Sequence, residues 1–138
     1  MQFTGGEPTV HPRFLEIVAS AKALGFSHIQ VASNGLKLAD PEFARRARDA
    51  GVQYVYLQMD GTSDDVFLRL RGRALLDKTL AVLDSARKAG LRVIFVPTIV
   101  RGLNDHQIGD LFRLAFEHLD VLSGISFQPM TFTGRVPE

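Results

Sequence analysis

Short runs with two-residue alternation and longer runs with helical spacing take turns along this chain, and that alternation constrains its fold more than any other feature. Strand-like runs are read at residues 2–4, 28–32, 54–59, 92–100 and 124–128. Between them, helical patterns cover residues 12–24, 40–51, 74–89 and 106–119, with a further short helical turn through Arg69. Phe14, Ile17, Val18, Ala21 and Leu24 fall at three- and four-residue spacing ahead of a stop at Gly25, and Ile108, Leu111, Phe112, Ala115 and Leu119 form a similar stripe. Asp40 followed by Pro41 marks a helix start, and Gly51 its end. Strands that alternate with helices connect by right-handed crossovers into a parallel sheet with the helices outside it. The prediction is an α/β fold. Its 138 residues suffice for one domain but fall short of a closed eight-unit barrel, so the expected form is a partial (β/α) barrel of about five parallel strands over residues 1–138. The chain opens directly into its first strand, which reads as the start of a fragment; that strand would be an unpaired sheet edge open to self-association.

A parallel sheet buried on both faces carries nearly continuous Val, Ile and Leu. These strands alternate instead. Val55, Leu57 and Met59 share one face with Tyr54, Tyr56, Gln58 and Asp60 on the other; Ile29 and Val31 oppose Gln30, Ala32 and Asn34; Ile125 and Phe127 oppose Ser126, Gln128 and Met130. With the apolar set turned to the helices, the opposite face collects Gln2, Thr4, Gln30, Asn34, Gln58, Asp60, Thr98, Ser126 and Gln128. Burying such groups without partners costs roughly 1–3 kcal/mol each, so this face is expected to border a wide, wet or ligand-filled concavity. Tyr54 and Tyr56, low on their strand, are expected to pack.

Ligands of α/β sheets and barrels bind at the C-terminal ends of the strands. Here those ends carry Gly5-Gly6-Glu7-Pro8, Ser33-Asn34-Gly35, Gln58-Met59-Asp60-Gly61, a segment from Thr98 through Val100 to Asn104, and Gln128-Pro129. Gly5 and Gly6 let backbone approach a ligand with no Cβ in the way, Glu7 offers an acceptor to an ammonium group, and Pro8 stiffens the exit. Arg71, in Leu70-Arg71-Gly72-Arg73, offers a guanidinium that pairs bidentately with a carboxylate.

Composition excludes several classes. A formal charge of +1 with 22% charged and 46% hydrophobic residues is that of neither a disordered chain nor a charged tail, and gives nucleic-acid binding no support. The chain has no cysteine, which excludes a disulfide scaffold, a thiolate zinc site, a cysteine nucleophile and a thiolate-held iron–sulfur cluster for these residues, and favours an intracellular, cytoplasmic setting. No apolar run approaches the ~18 residues of a membrane span, and no leader pattern opens the sequence. His11, His28, His106 and His118 follow no metal-ligand spacing, so no metal site is expected. Arg45, Arg46 and Arg48 are interspersed with Glu42 and Asp49 as on a solvated helix face. A Schiff-base lyase wants lysine at a strand end, whereas Lys22, Lys37, Lys78 and Lys88 fall in helices or a loop.

Phe3-Thr4-Gly5-Gly6-Glu7-Pro8 after the first strand, Asn34-Gly35 after the second and Gln58-Met59-Asp60-Gly61 after the third together resemble the radical S-adenosylmethionine (SAM) superfamily. The resemblance implies a truncated (β/α)6 core holding units two to six and lacking the first unit, whose CxxxCxxC loop binds a [4Fe–4S] cluster. It implies an enzyme that in full-length form cleaves SAM reductively to a 5′-deoxyadenosyl radical, served by a reductant protein, with this chain inactive alone. By the same resemblance the backbone of Gly5 and Gly6 and the carboxylate of Glu7 receive the SAM ammonium, and Ser33, Asn34 and Gln58 stand where the carboxylate and ribose are held. The segment from Thr98 to Asn104 backs the adenine, Gln128-Pro129 lies near adenine or substrate, and Arg71 is a carboxylate partner. Longer strings, among them Leu70-Arg71-Gly72-Arg73, Val96-Pro97-Thr98-Ile99-Val100 and Thr131-Phe132-Thr133-Gly134-Arg135, resemble the subgroup of tetraether lipid synthases and the pterin methylases of methanopterin biosynthesis. That subgroup implies methylation or C–C coupling at a C–H bond of a lipid or pterin-like small molecule. The alternative is a noncatalytic ligand-binding or interaction module on a degenerate half-barrel.

Overall fold

The strands are β1 (Gln2–Phe3), β2 (Gln30–Ser33), β3 (Tyr54–Gln58), β4 (Arg92–Val96), β5 (Thr98–Ile99), β6 (Leu122–Ile125) and β7 (Gln128–Pro129), seen in a computed structural model that describes residues 1–130. The string Thr131 to Arg135 and the end of the chain lie outside the described residues. Five strands form one parallel sheet in the order β1-β2-β3-β4-β6, so order in the chain is order in space, as successive βαβ units produce. The helices are α1 (Phe14–Ala23), α2 (Pro41–Ala50), α3 (Asp64–Arg71), α4 (Leu76–Ala89) and α5 (Ile108–Glu117). Asp40 starts α2 as its sequence suggests, its carboxylate accepting the Glu42 amide at 3.0 Å ahead of Pro41. The turn expected through Arg69 is a full helix, α3. Asp64 and Asp65 open it and Arg69 and Arg71 close it, which matches the helix dipole, and Gly72 in the left-handed region ends it. No helix among the described residues is long and apolar enough to cross a membrane.

The helices cover one face of the sheet. Val31, Val55, Leu57, Val93 and Phe95 point into them and are fully buried, in one cluster with Phe14, Val18, Ala44, Ala47, Val82, Leu83 and Leu111. Each large side chain so buried contributes roughly 1.5–3 kcal/mol. The alternate positions Gln30, Ala32, Tyr54, Tyr56, Gln58, Ile94 and Val96 keep partial exposure, because the opposite face is open. The expected polar side is therefore the uncovered one, although Ile94 and Val96 from β4 also stand on it. At the ends of the helical layer the apolar stripes are only partly used. Ile17 and Leu24 of the first stripe, and Phe112 and Leu119 of the last, are exposed. In a helix that packs on one side only, the flank of the stripe faces away from the core.

Two strands are shorter than their sequence pattern. The run at 92–100 breaks at Pro97, which has no N–H to give the ladder. Thr98–Ile99 leaves the main sheet and pairs in parallel with Gln128–Pro129. The run at 124–128 is divided likewise between β6 and β7. β6 also carries a bulge, since Val93 faces Leu122 and Ile94 faces Gly124, which leaves Ser123 as the extra residue. Arg92 closes the irregularity, donating to Ser123 Oγ at 2.9 Å and to the carbonyls of Asp120 and Leu122 at 2.6 and 3.1 Å.

Arg87 ties α4 to the turn before β6 by donating to Asp120 and, at 2.7 Å, to Asp84. The Arg87 hydrogen bond holds the Asp120 carboxyl below the usual carboxylate range. NMR titration should find Asp120 ionising below about 3.9, the value of a free aspartate, and Arg87→Gln should return it toward that value. A depressed folded value means that this contribution is present above the unfolded pKa and lost as pH falls through the folded one. The pair is solvent-exposed, so its share in stability is small and salt-sensitive.

Candidate functional site

Over the C-terminal ends of β1 to β4, the open face of the sheet holds a cavity of about 410 Å³, within the ~300–1,000 Å³ usual for small-molecule sites. Gln2, Thr4, Gly5 and Gly6 line it from β1 and its loop, Ala32, Ser33 and Asn34 from β2, Tyr56 and Gln58 from β3, Arg71 from α3, and Val96, Thr98 and Gln128 from the remaining strand ends. Of the predicted site residues, Gly5, Gly6, Ser33, Asn34, Gln58, Arg71, Thr98 and Gln128 are thus brought together. Tyr56 lines the cavity rather than simply packing, and Ala32 and Val96 join it. Ladder register held the signal for all three, since Tyr56 is two residues before Gln58 and opposite Ala32, and Gln58 is opposite Val96.

Glu7, Pro8, Asp60, Val100 and Asn104 do not line the cavity. The loop after β1 turns at Gly5, whose φ of +109° lies in the left-handed region that suits glycine. A Cβ at Gly5 or Gly6 would meet only open space. No backbone amide among the described residues donates to the carbonyls of these two residues. Glu7, by contrast, is fully engaged inside the protein. Its Oε1 accepts from the Thr9 amide at 3.1 Å, Thr9 Oγ1 at 2.6 Å and Ser33 Oγ at 2.8 Å, while Oε2 accepts from the Asn34 amide at 2.6 Å. Where the sequence suggested an acceptor waiting for an ammonium group, the structure has a carboxylate already taking four donors. Its evident work is to brace the loop after β1 against the loop after β2.

A second brace lies behind Thr98. The expectation that Asp60 shares the open face fails because β3 ends at Gln58 and the chain turns the Asp60 side chain inward, where it is fully buried. Its carboxylate accepts from Arg71 Nε at 2.7 Å, Arg71 Nη2 at 3.2 Å and the Thr98 amide at 3.0 Å. Asn104, also fully buried, donates to the carbonyls of Asp60 and Thr98 at 2.7 and 2.8 Å and accepts from the Val100 amide at 2.7 Å. Gln107 completes the set, accepting from the Thr62 amide at 2.8 Å and donating to Ser63 Oγ at 2.6 Å. With its carboxamide assigned oxygen-first toward Arg71, the orientation that satisfies both groups, Gln58 accepts from Nη2, from Nη1 at 2.9 Å and from Nε at 3.0 Å. No buried side-chain nitrogen or oxygen among the described residues lacks a partner.

Glu7 and Asp60 stand behind the wall with two negative charges against the one positive charge of Arg71, a net negative balance that favours a ligand carrying a cationic group. Tyr56 and Val96 supply an apolar strip beside these polar groups. The donor set contains no thiolate, and no group of three or more His, Asp and Glu among the described residues is placed to hold a metal ion. The residues present fit a polar small molecule and do not fit a thiolate-held iron–sulfur cluster. His106 lies in a one-turn 3-10 helix, Asp105–Gln107, and is exposed.

The model of the Radical SAM superfamily matches residues 1–115. Over its whole length the chain is 44% identical to a protein of Methanocaldococcus jannaschii named 7,8-dihydro-6-hydroxymethylpterin dimethyltransferase, of which it covers 28%. Over 94% of its length it is 32% identical to the GTP 3',8-cyclase of Marinobacter nauticus, of which it covers 39%. The chain thus spans well under half the length of these curated relatives. A solved domain of the pyruvate-formate lyase-activating enzyme from Bacteroides vulgatus has the same fold, with a TM-score of 0.75 at 17% identity, covering all of this chain and 84% of that one.

Proposed function

This chain belongs to the radical SAM superfamily, and on that premise we propose that its polar cavity is the SAM-holding part of an enzyme acting at a C–H bond of a pterin-like small molecule. Members of the superfamily use SAM and a [4Fe–4S] cluster. When bound beside a reducing cluster, SAM supplies the radical chemistry of the superfamily. The part of these residues is to hold and orient it. One observation carries the proposal: acceptors suited to an ammonium, at Gly5 and Gly6, and a donor suited to a carboxylate, at Arg71, share a single cavity with an apolar strip.

In this reading the carbonyls of Gly5 and Gly6 accept from the ammonium and Arg71 donates to the carboxylate. Ser33, Asn34 and Gln58 lie at strand ends where ribose hydroxyls find both donors and acceptors. Thr98 and Gln128, with Tyr56 and Val96, form the wall for a flat ring. Glu7 and Asn104 act at one remove, by fixing the loops on which these groups stand. Support for a pterin-like substrate comes from the relative with 44% identity over the whole chain. With no cysteine of its own, the 138-residue chain is not expected to cleave SAM.

NMR titration of the 15N-labelled chain with SAM tests the site. The expected dissociation constant is about 1 mM, worth ~4 kcal/mol, because nothing in this chain chelates the amino-acid end through a metal. Amide shifts should be confined to the loops at Gly5-Gly6, Ser33-Asn34-Gly35 and Thr98. Absence of binding, or shifts centred on Lys22 and Arg48 at the other end of the sheet, would overturn the assignment.

A further inference from the structure

Among the described residues Asp60 is the one charged side chain that is fully buried. It does not line the cavity, yet two of its partners, Arg71 and Thr98, do. The Asp60 carboxylate occupies the Nε–Nη2 edge of the guanidinium, Nη2 also reaches Thr98 Oγ1 at 3.4 Å, and the Gln58 oxygen accepts from all three nitrogens, so Nη1 is the one nitrogen with no partner besides Gln58. The same carboxylate holds the amide of Thr98, whose carbonyl is held from the other side by Asn104. Asn104 in turn grips the carbonyl of Asp60. These groups are far apart in sequence and meet in one closed set of hydrogen bonds behind the cavity wall.

An arginine on a solvated chain samples many rotamers, and a ligand that captures it must bear the cost of ordering it. Here the ordering is done by folding. We infer that Asp60 is a positioning residue that holds Arg71 with Nη1 presented to the carboxylate of SAM before the ligand arrives, with Asn104 fixing the backbone on which Asp60 and Thr98 stand. The inference rests on the reading of the cavity as a SAM site. Because Asp60 already balances the charge of Arg71, recognition depends on the fixed planar fork more than on net charge, and lysine at position 71 is not a substitute.

The test compares two ligands on the 138-residue chain by NMR titration. S-adenosylhomocysteine carries the amino-acid end, and 5′-methylthioadenosine is the same nucleoside thioether without it. The wild-type chain should bind the first about tenfold more tightly, ~1.4 kcal/mol. Asp60→Asn should remove most of that preference while leaving methylthioadenosine affinity within about twofold. Arg71→Lys should do the same, and adding Asp60→Asn to Arg71→Lys should cost nothing more. Equal weakening of both ligands by Asp60→Asn, or an unchanged preference, overturns the positioning role. Equal affinity of the wild-type chain for the two ligands, or no binding of either, instead overturns the SAM reading. Should Asp60→Asn fail to fold, the wild-type chain still decides the matter. The Arg71 Nε–H signal should exchange slowly with water and keep its position when S-adenosylhomocysteine is added, whereas a signal typical of a free guanidinium refutes the pre-positioning.

Discussion

Gly35→Ala should unfold about 10 °C below the parent chain in a thermal melt, an estimate from ~3 °C per kcal/mol for a domain of this size. Gly35 is buried in the loop after β2 with a φ of +81°, where an L side chain costs about 1–2 kcal/mol. An added Cβ would also stand 2.5 Å from Leu57 Cδ1 and 2.9 Å from Val82 Cγ2. Both neighbours are core side chains with at most 1% exposure, so neither yields freely. Overpacking of this kind costs about 1–3 kcal/mol. The same substitution should disturb the cavity, because the Gly35 amide donates to Ser33 Oγ, which itself donates to Glu7. A melting temperature within 2 °C of the parent would show that the loop after β2 moves aside and that Glu7 does not brace it.

The second large effect concerns the buried carboxylate. Arg71→Met leaves Asp60 fully buried with the Thr98 amide as its remaining hydrogen-bond donor, and removing one partner of such a pair costs about 3 kcal/mol, the low end of the usual range. The low end applies because the Arg71 side chain is itself 32% exposed. Combining Arg71→Met with Asp60→Asn removes the stranded charge, and the double variant should regain more than half of the loss in urea denaturation. If single and double variants lose equally, the stem of Arg71 stabilises by packing and the charge pair contributes little. Recovery of stability should not bring back a preference for the amino-acid end of the ligand, since the guanidinium is gone in both variants.

Much of this architecture is legible in local sequence. The alternation of Val55, Leu57 and Met59 with Tyr56 and Gln58 reports which face is covered, and the helix residues buried against Leu57 confirm it. Glycine, asparagine and glutamine at strand ends report where the cavity opens. The departures have two physical sources. Pro97 withdraws a donor from a ladder that the apolar pattern continues straight through, so hydrophobicity alone draws β4 too long. Thr9 and Arg71 lie near Glu7 and Asp60 in the chain, but their remaining partners Ser33, Asn34, Thr98 and Asn104 are 26 to 44 residues distant, and no local spacing encodes those meetings. A carboxylate beside a glycine pair looks like a ligand for an ammonium group until the fold supplies four nearer donors.

The one-sided covering of the sheet has a consequence for how such a chain can change. Along β3 and β4, odd positions such as Val55, Leu57, Val93 and Phe95 cement the framework, while the letters between them stand on the uncovered face and keep partial exposure. Ala32, Tyr56 and Val96 can therefore be exchanged without prying apart the packing beneath them. Packing and cavity lining are thus carried by alternate letters of the same strands, which gives descent a means of repainting the lining while the framework beneath it is kept.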